Sequence, residues 1–216
     1  MPSTSDLLTF GVLALVAWRL FGGMRVALGG PGRARVLLVV RGIRWRHLWP
    51  VPLVLAAVGG TAAALITLVP PLAIGWWTLL GGQGNPAFGS SDVTSGTVWS
   101  WLLPLVFVTL LVPALPLFAQ REEEIFRLGA ELRTRRRRWW KALQFGLVHA
   151  VVGIPVGVAL ALSIGGLYFT HCYLRVQRTT GDRDAALLES TRAHTAYNAL
   201  IVSLLAVTLV LQAVGG

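Results

Sequence analysis

Residues 98–127, VWSWLLPLVFVTLLVPALPLFAQREEEIFR, carry a hydrophobic run from Val98 to Ala119 that ends in charge: Arg121-Glu122-Glu123-Glu124-Ile125-Phe126-Arg127. The run is long enough to cross a bilayer, whose hydrocarbon is about 30 Å thick. Carboxylates at such an edge are costly and generally face a bundle interior or a wet cavity, held by a partner. The plain alternative is a solvated helix end. Further along, His149 and the pair His194 and Asn198 are the main other polar groups entering apolar segments from the same side.

Composition sets the class. The chain has 216 residues, 55% of them hydrophobic and 13% charged, with a mean hydropathy of +0.67, which leaves too little polar surface to cover a soluble globule. The reading is an all-α, polytopic transmembrane helical bundle. A net charge of +10 would suggest nucleic acid in a soluble protein. Here every Lys and Arg falls within Arg19 to Arg46, Arg121 to Lys141 or Arg175 to Arg192, the positive-inside pattern, so no nucleic-acid partner is expected. A single cysteine, Cys172, leaves no internal disulfide and no CxxC site. Eighteen Arg against one Lys suggest a GC-rich bacterial genome.

Taken in order, Leu7 to Leu28 is the first span, retained because Met1 to Asp6 lacks a basic leader; Arg33 to Arg46 is an inner basic loop. Pro50 to Val69 is the second span, closed by Pro70-Pro71, and Leu72 to Leu80 lies at the interface with Trp76 and Trp77. The Gly/Ser-rich stretch from Gly81 to Thr97 has Asp92 as its only charge and is placed outside. Val98 to Ala119 is the third span. Gly129 to Lys141 is a polybasic patch suited to anionic lipid at the inner leaflet. Ala142 to His171 is about 45 Å long as one helix, too much for one crossing, so Gly153-Ile154-Pro155 is read as a break between two short segments. With Ala193 to Val214 this makes about six membrane segments with both termini outside. Residues 1–97 form an N-terminal unit of spans and basic loop, and 98–214 a catalytic core.

On a helix Glu123 and Arg127 share a face and pair, Glu131 lies four residues beyond Arg127, and Glu122 is turned about 100° away and left free. A desolvated glutamate is a suitable general base for water, while His and Asn can donate to the oxyanion of a tetrahedral intermediate. This points to peptide hydrolysis with no covalent intermediate and no cofactor. One carboxylate and two imidazoles also match a catalytic zinc set. His47 and His171 belong to no motif and are read as interfacial or surface groups.

Three short motifs, Glu122-Glu123-x-x-x-Arg127, Phe145-x-x-x-His149 and His194-x-x-x-Asn198, stand in this order and each meets a membrane segment on one side. Together they resemble the CAAX protease and bacteriocin-processing (CPBP, or Abi) intramembrane endopeptidases over about Val98 to Val214, with Gly165-Gly166-Leu167-Tyr168 similar to the small-residue helix before the last motif. The departures are Leu128, where many members have Gly, and the extra Glu124. The resemblance implies a CAAX-protease-like core in the cell membrane, with the site open to the cytoplasmic half. It implies Glu122 as the water-activating glutamate, Glu123 and Arg127 as its supporting pair, and His149, His194 and Asn198 as residues that position water and stabilise the oxyanion. The substrate implied is a membrane-embedded or lipid-anchored protein or peptide. The competing readings are a non-proteolytic scaffold or immunity-type protein of the same fold, a zinc-dependent protease, and a proton-coupled carrier.

Overall fold

The computed structural model describes residues 4–79 and 96–215, with side chains described for 11–76, 78 and 96–211. The Gly/Ser-rich stretch from Gly81 to Thr97 is thus almost entirely outside the described residues. Helices account for the ordered structure, with no strand among the described residues. They are α1 (Thr4–Leu28), α2 (Gly30–Arg41), α3 (Trp45–Leu48), α4 (Val51–Leu68), α5 (Trp76–Leu79), α6 (Trp99–Phe126), α7 (Arg135–Val148), α8 (Val156–Ala161), α9 (Ser163–Thr180) and α10 (Arg183–Gly215).

Their ends follow the sequence. Pro50 and Pro52 open α4, and Val69 leaves the helical region ahead of Pro70-Pro71, which continue as a 3-10 turn. Thr134 caps α7, its hydroxyl accepting from the Arg137 amide at 3.4 Å. Between α9 and α10, Gly181 adopts φ +70° and the Asp182 carboxylate accepts from the Asp184 and Ala185 amides at 2.8 and 3.1 Å.

Among the described residues five stretches are long and apolar enough to cross a membrane: Gly11–Leu28, Trp45–Leu68, Trp99–Leu132, Val156–Thr180 and Arg183–Leu211. This is consistent with a multi-pass membrane protein and is one stretch fewer than the six expected. The difference lies in α7. The break at Gly153-Ile154-Pro155 is where the sequence put it, with Gly153 at φ +89° and α8 starting after Pro155. The arm before it, however, is a 14-residue helix whose first half is Arg135 to Lys141, too short and too polar to cross alone.

α7 and α9 form a close hairpin. A Cβ on Gly146 would strike the Ala159 carbonyl oxygen and Ser163, and one on Gly166 would come within 3.2 Å of the Ala142 backbone. Small residues at such crossings let helix backbones approach and pack without solvent between them. α6 lies against both α1 and α10, and α4 against α8 and α9. Val51, Phe126, Phe145, Phe169, Ala193, Ala196 and Tyr197 form a core where α4, α6, α7, α9 and α10 meet. Outward faces are apolar, with Leu53, Leu68, Val112, Leu204, Val207 and Leu211 exposed. That surface suits hydrocarbon rather than water.

Candidate functional site

α6 stops at Phe126, and Gly129 then takes φ +78°, a left-handed turn that glycine accepts without steric cost. The turn folds Arg127 inward. Its guanidinium is 0% exposed, lies 3.5 Å from Glu123 Oε1, and sits 4.1 Å from the centroid of the Phe145 ring. Phe126 and Phe169 stand at 5.6 and 5.5 Å, and NH2 donates to the Gly166 carbonyl at 3.3 Å. Aromatic faces attract a cation most strongly where water is absent. Arg127 thus keeps its charge in a dry core by facing one carboxylate and three rings.

Glu123 is equally buried, and Nδ1 of His194 donates to its Oε1 at 2.9 Å. The imidazole of His194 is stacked on Phe169, with ring centroids 4.3 Å apart and planes 18° from parallel. Ring position and tautomer are fixed together: with Nδ1–H committed to a carboxylate, the neutral ring presents its lone pair at Nε2. That nitrogen faces Glu122 Oε2 at 3.6 Å. His149, in the 3-10 turn after α7, repeats the arrangement. Its Nδ1 donates to the Phe145 carbonyl at 2.8 Å, and its Nε2 faces the same Glu122 oxygen at 3.9 Å.

Three helical elements therefore aim three acceptors at one point: Glu122 Oε2 and the Nε2 atoms of His149 and His194. Glu122 Oε2 is screened from solvent and has no hydrogen-bond partner, although about a third of the side chain is open, at 31%. A buried acceptor without a partner asks for a donor, and a point ringed by acceptors suits a water molecule or a cation. Among the described residues no group of three or more His, Cys, Asp and Glu closes to the spacing of a metal site. Zinc ligands at tetrahedral corners stand roughly 3.3 Å apart, tighter than either approach to Glu122.

The remaining sequence candidates divide. Asn198 lies one turn after His194 on α10, half-buried, and makes no hydrogen bond to Glu122, Glu123 or either histidine. Glu124 belongs to the surface, paired with Arg121 at 3.1 Å and bonded to Gln120 at 2.8 Å. The expected reach of Arg127 to Glu131 does not occur, because the helix has ended between them. Glu131 instead holds Arg183 at 2.6 Å and the Tyr173 hydroxyl at 3.0 Å.

His47 corrects the sequence reading more sharply. It is 1% exposed, not at the surface, with Nδ1 accepting from the Arg44 amide at 2.9 Å and Nε2 lying 3.1 Å from Glu189 Oε2. Glu189, which carried no motif, also binds Arg46 and Arg175 at 2.9 Å each. His171 is exposed as expected, though it stands within α9 and not at its end. Searches against family models, curated proteins and solved structures find no match to this chain.

Proposed function

We propose that this chain is an intramembrane endopeptidase of CPBP type, with a CAAX-protease-like core, that hydrolyses a peptide bond of a membrane-embedded or lipid-anchored protein. The observation that carries the reading is the buried, unpartnered Glu122 Oε2 with two imidazole Nε2 atoms turned toward it. A water held there gives one proton to Glu122 and keeps the other against His149. The resulting hydroxide adds to the scissile carbonyl carbon, and the carboxamide of Asn198 donates to the oxyanion. Collapse of the tetrahedral intermediate breaks the C–N bond, and the proton on Glu122 passes to the leaving amine. Glu123 and Arg127 hold His194 in register and have no direct part in proton transfer.

The basic segments support a multi-pass placement in a bacterial cell membrane with the site on the cytoplasmic half. A second reading is favoured by the tautomers. Two Nε2 lone pairs beside a carboxylate are a zinc donor set, with Glu123 and the Phe145 carbonyl as the outer hydrogen-bond partners such ligands need. Its spacing here is looser than a bound ion requires. The experiment for the main reading is quantitative proteomics of membranes from cells carrying wild type or Glu122→Gln. Full-length substrates should accumulate with the variant and their fragments disappear; identical membrane proteomes would refute a protease.

A further inference from the structure

Glu189 and the cations around it take no part in the proposed hydrolysis, yet they form a second charged cluster around a buried carboxylate. The carboxylate is 3% exposed and bonded to Arg46 on α3 and Arg175 on α9. Arg192, one turn further along α10, gives NH2 to the Leu38 carbonyl at 3.2 Å, while its buried Nε has no acceptor. The turn between α2 and α3 is shaped around this side chain, since a Cβ on Gly42 would overlap the Arg192 guanidinium. Among the described residues Arg44 forms no ion pair, and Arg192 faces the carboxylate of Glu189 together with the like charges of Arg46, Arg44 and Arg35. Arg35 is held on Gln120 at 2.6 Å.

Arg46 and Arg175 thus occupy the Glu189 carboxylate, and Arg192 and Arg44 add two more positive charges beside them. Glu189 faces Arg192 as well, but it is a single negative charge among these guanidiniums, and the buried Nε of Arg192 has no acceptor. Like charges are gathered at such a spot at a cost unless an anion joins them, and guanidiniums bind a phosphate group through paired N–H donors. Exposed Trp45 and Trp49 flank the cluster at the start of the Trp45–Leu68 stretch, the side chains that favour the headgroup level of a bilayer.

We propose that this surface binds a phosphate group, supplied by the headgroup of an anionic phospholipid or by inorganic phosphate, with Arg44 and Arg192 as the principal donors. The test titrates the purified full-length chain in neutral detergent with phosphatidylglycerol, phosphatidylcholine or inorganic phosphate, reading the thermal midpoint. Phosphatidylglycerol should raise the midpoint saturably. Arg44→Gln and Arg192→Gln should each raise the half-saturating concentration about fivefold. The unliganded midpoint of Arg44→Gln reports that this variant folds. Inorganic phosphate that reproduces the rise and competes with lipid identifies free phosphate as the ligand; a rise given by phosphatidylglycerol alone identifies the lipid. Equal effects of phosphatidylcholine and phosphatidylglycerol, no response to any of the three, or wild-type titration by both site variants would overturn the proposal.

Discussion

The guanidinium of Arg127 lies 4.1 Å from the centroid of Phe145, so the cation that holds Glu123 is itself held by the helix that delivers His149. Phe145 also contacts the rings of His149 and His194, at 5.0 and 5.5 Å. One side chain therefore sets the spacing among the groups of the site.

Removing that cation should cost stability before it costs chemistry. Arg127→Ala leaves Glu123 charged and dry, a loss of about 3 to 5 kcal/mol for a broken buried pair. Thermal and denaturant unfolding in detergent measure it. An unfolding midpoint equal to that of the wild type would mean the pair is hydrated.

Glu122→Gln is expected to fold normally, because its oxygen makes no hydrogen bond in the resting protein, and to lose about 10²- to 10⁴-fold in turnover. Asn198→Ala should lose about 10²- to 10³-fold, the effect of one oxyanion donor. Both are read on a cleaved substrate from the proteomic comparison. Turnover that persists under a membrane-permeant zinc chelator separates the glutamate mechanism from the zinc one; near-stoichiometric zinc with chelator-reversible activity would favour the latter.

Glu189→Ala should destabilise the chain by about 1.5 to 3 kcal/mol, the range for hydrogen bonds to charged groups. The expected loss is below that of Arg127→Ala because Arg46 and Arg175 keep 53% and 47% of their side chains in solvent. Comparison of the two unfolding midpoints tests the ranking.

Gly146→Ala drives a methyl group from α7 into the Ala159 carbonyl of α8 and Ser163 of α9 and should cost about 1 to 3 kcal/mol, the usual penalty of overpacking. Gly60→Ala, with nothing within 4 Å, serves as the control and should be neutral or slightly stabilising. Equal losses at both positions would show that the hairpin is loosely packed.

The helices were legible because hydrophobic run length, Pro and Gly fix them locally. Pro70-Pro71 and Gly153 fall at the ends the sequence assigns. The pairing of Glu123 with Arg127 was legible for the same reason, being one turn apart on one helix. Arg127 with Glu131 has equal spacing, but a left-handed glycine between them ends the helix, and spacing alone does not report that turn. The burial of His47 was hidden in a different way. Its partner Glu189 stands on the last helix, and the Arg46 contact to that carboxylate spans 143 residues. A histidine amid arginines looks solvated until the distant carboxylate is in place.

The local pairing of Glu123 with Arg127 also bears on biosynthesis. A chain threaded into a bilayer as it is made must commit α6 before α10 exists, and His194 reaches Glu123 across 71 residues of later sequence. Because α6 carries its own counter-ion one turn away, its inward-facing carboxylate can leave water already neutralised. The histidine then docks on a carboxylate that is already paired.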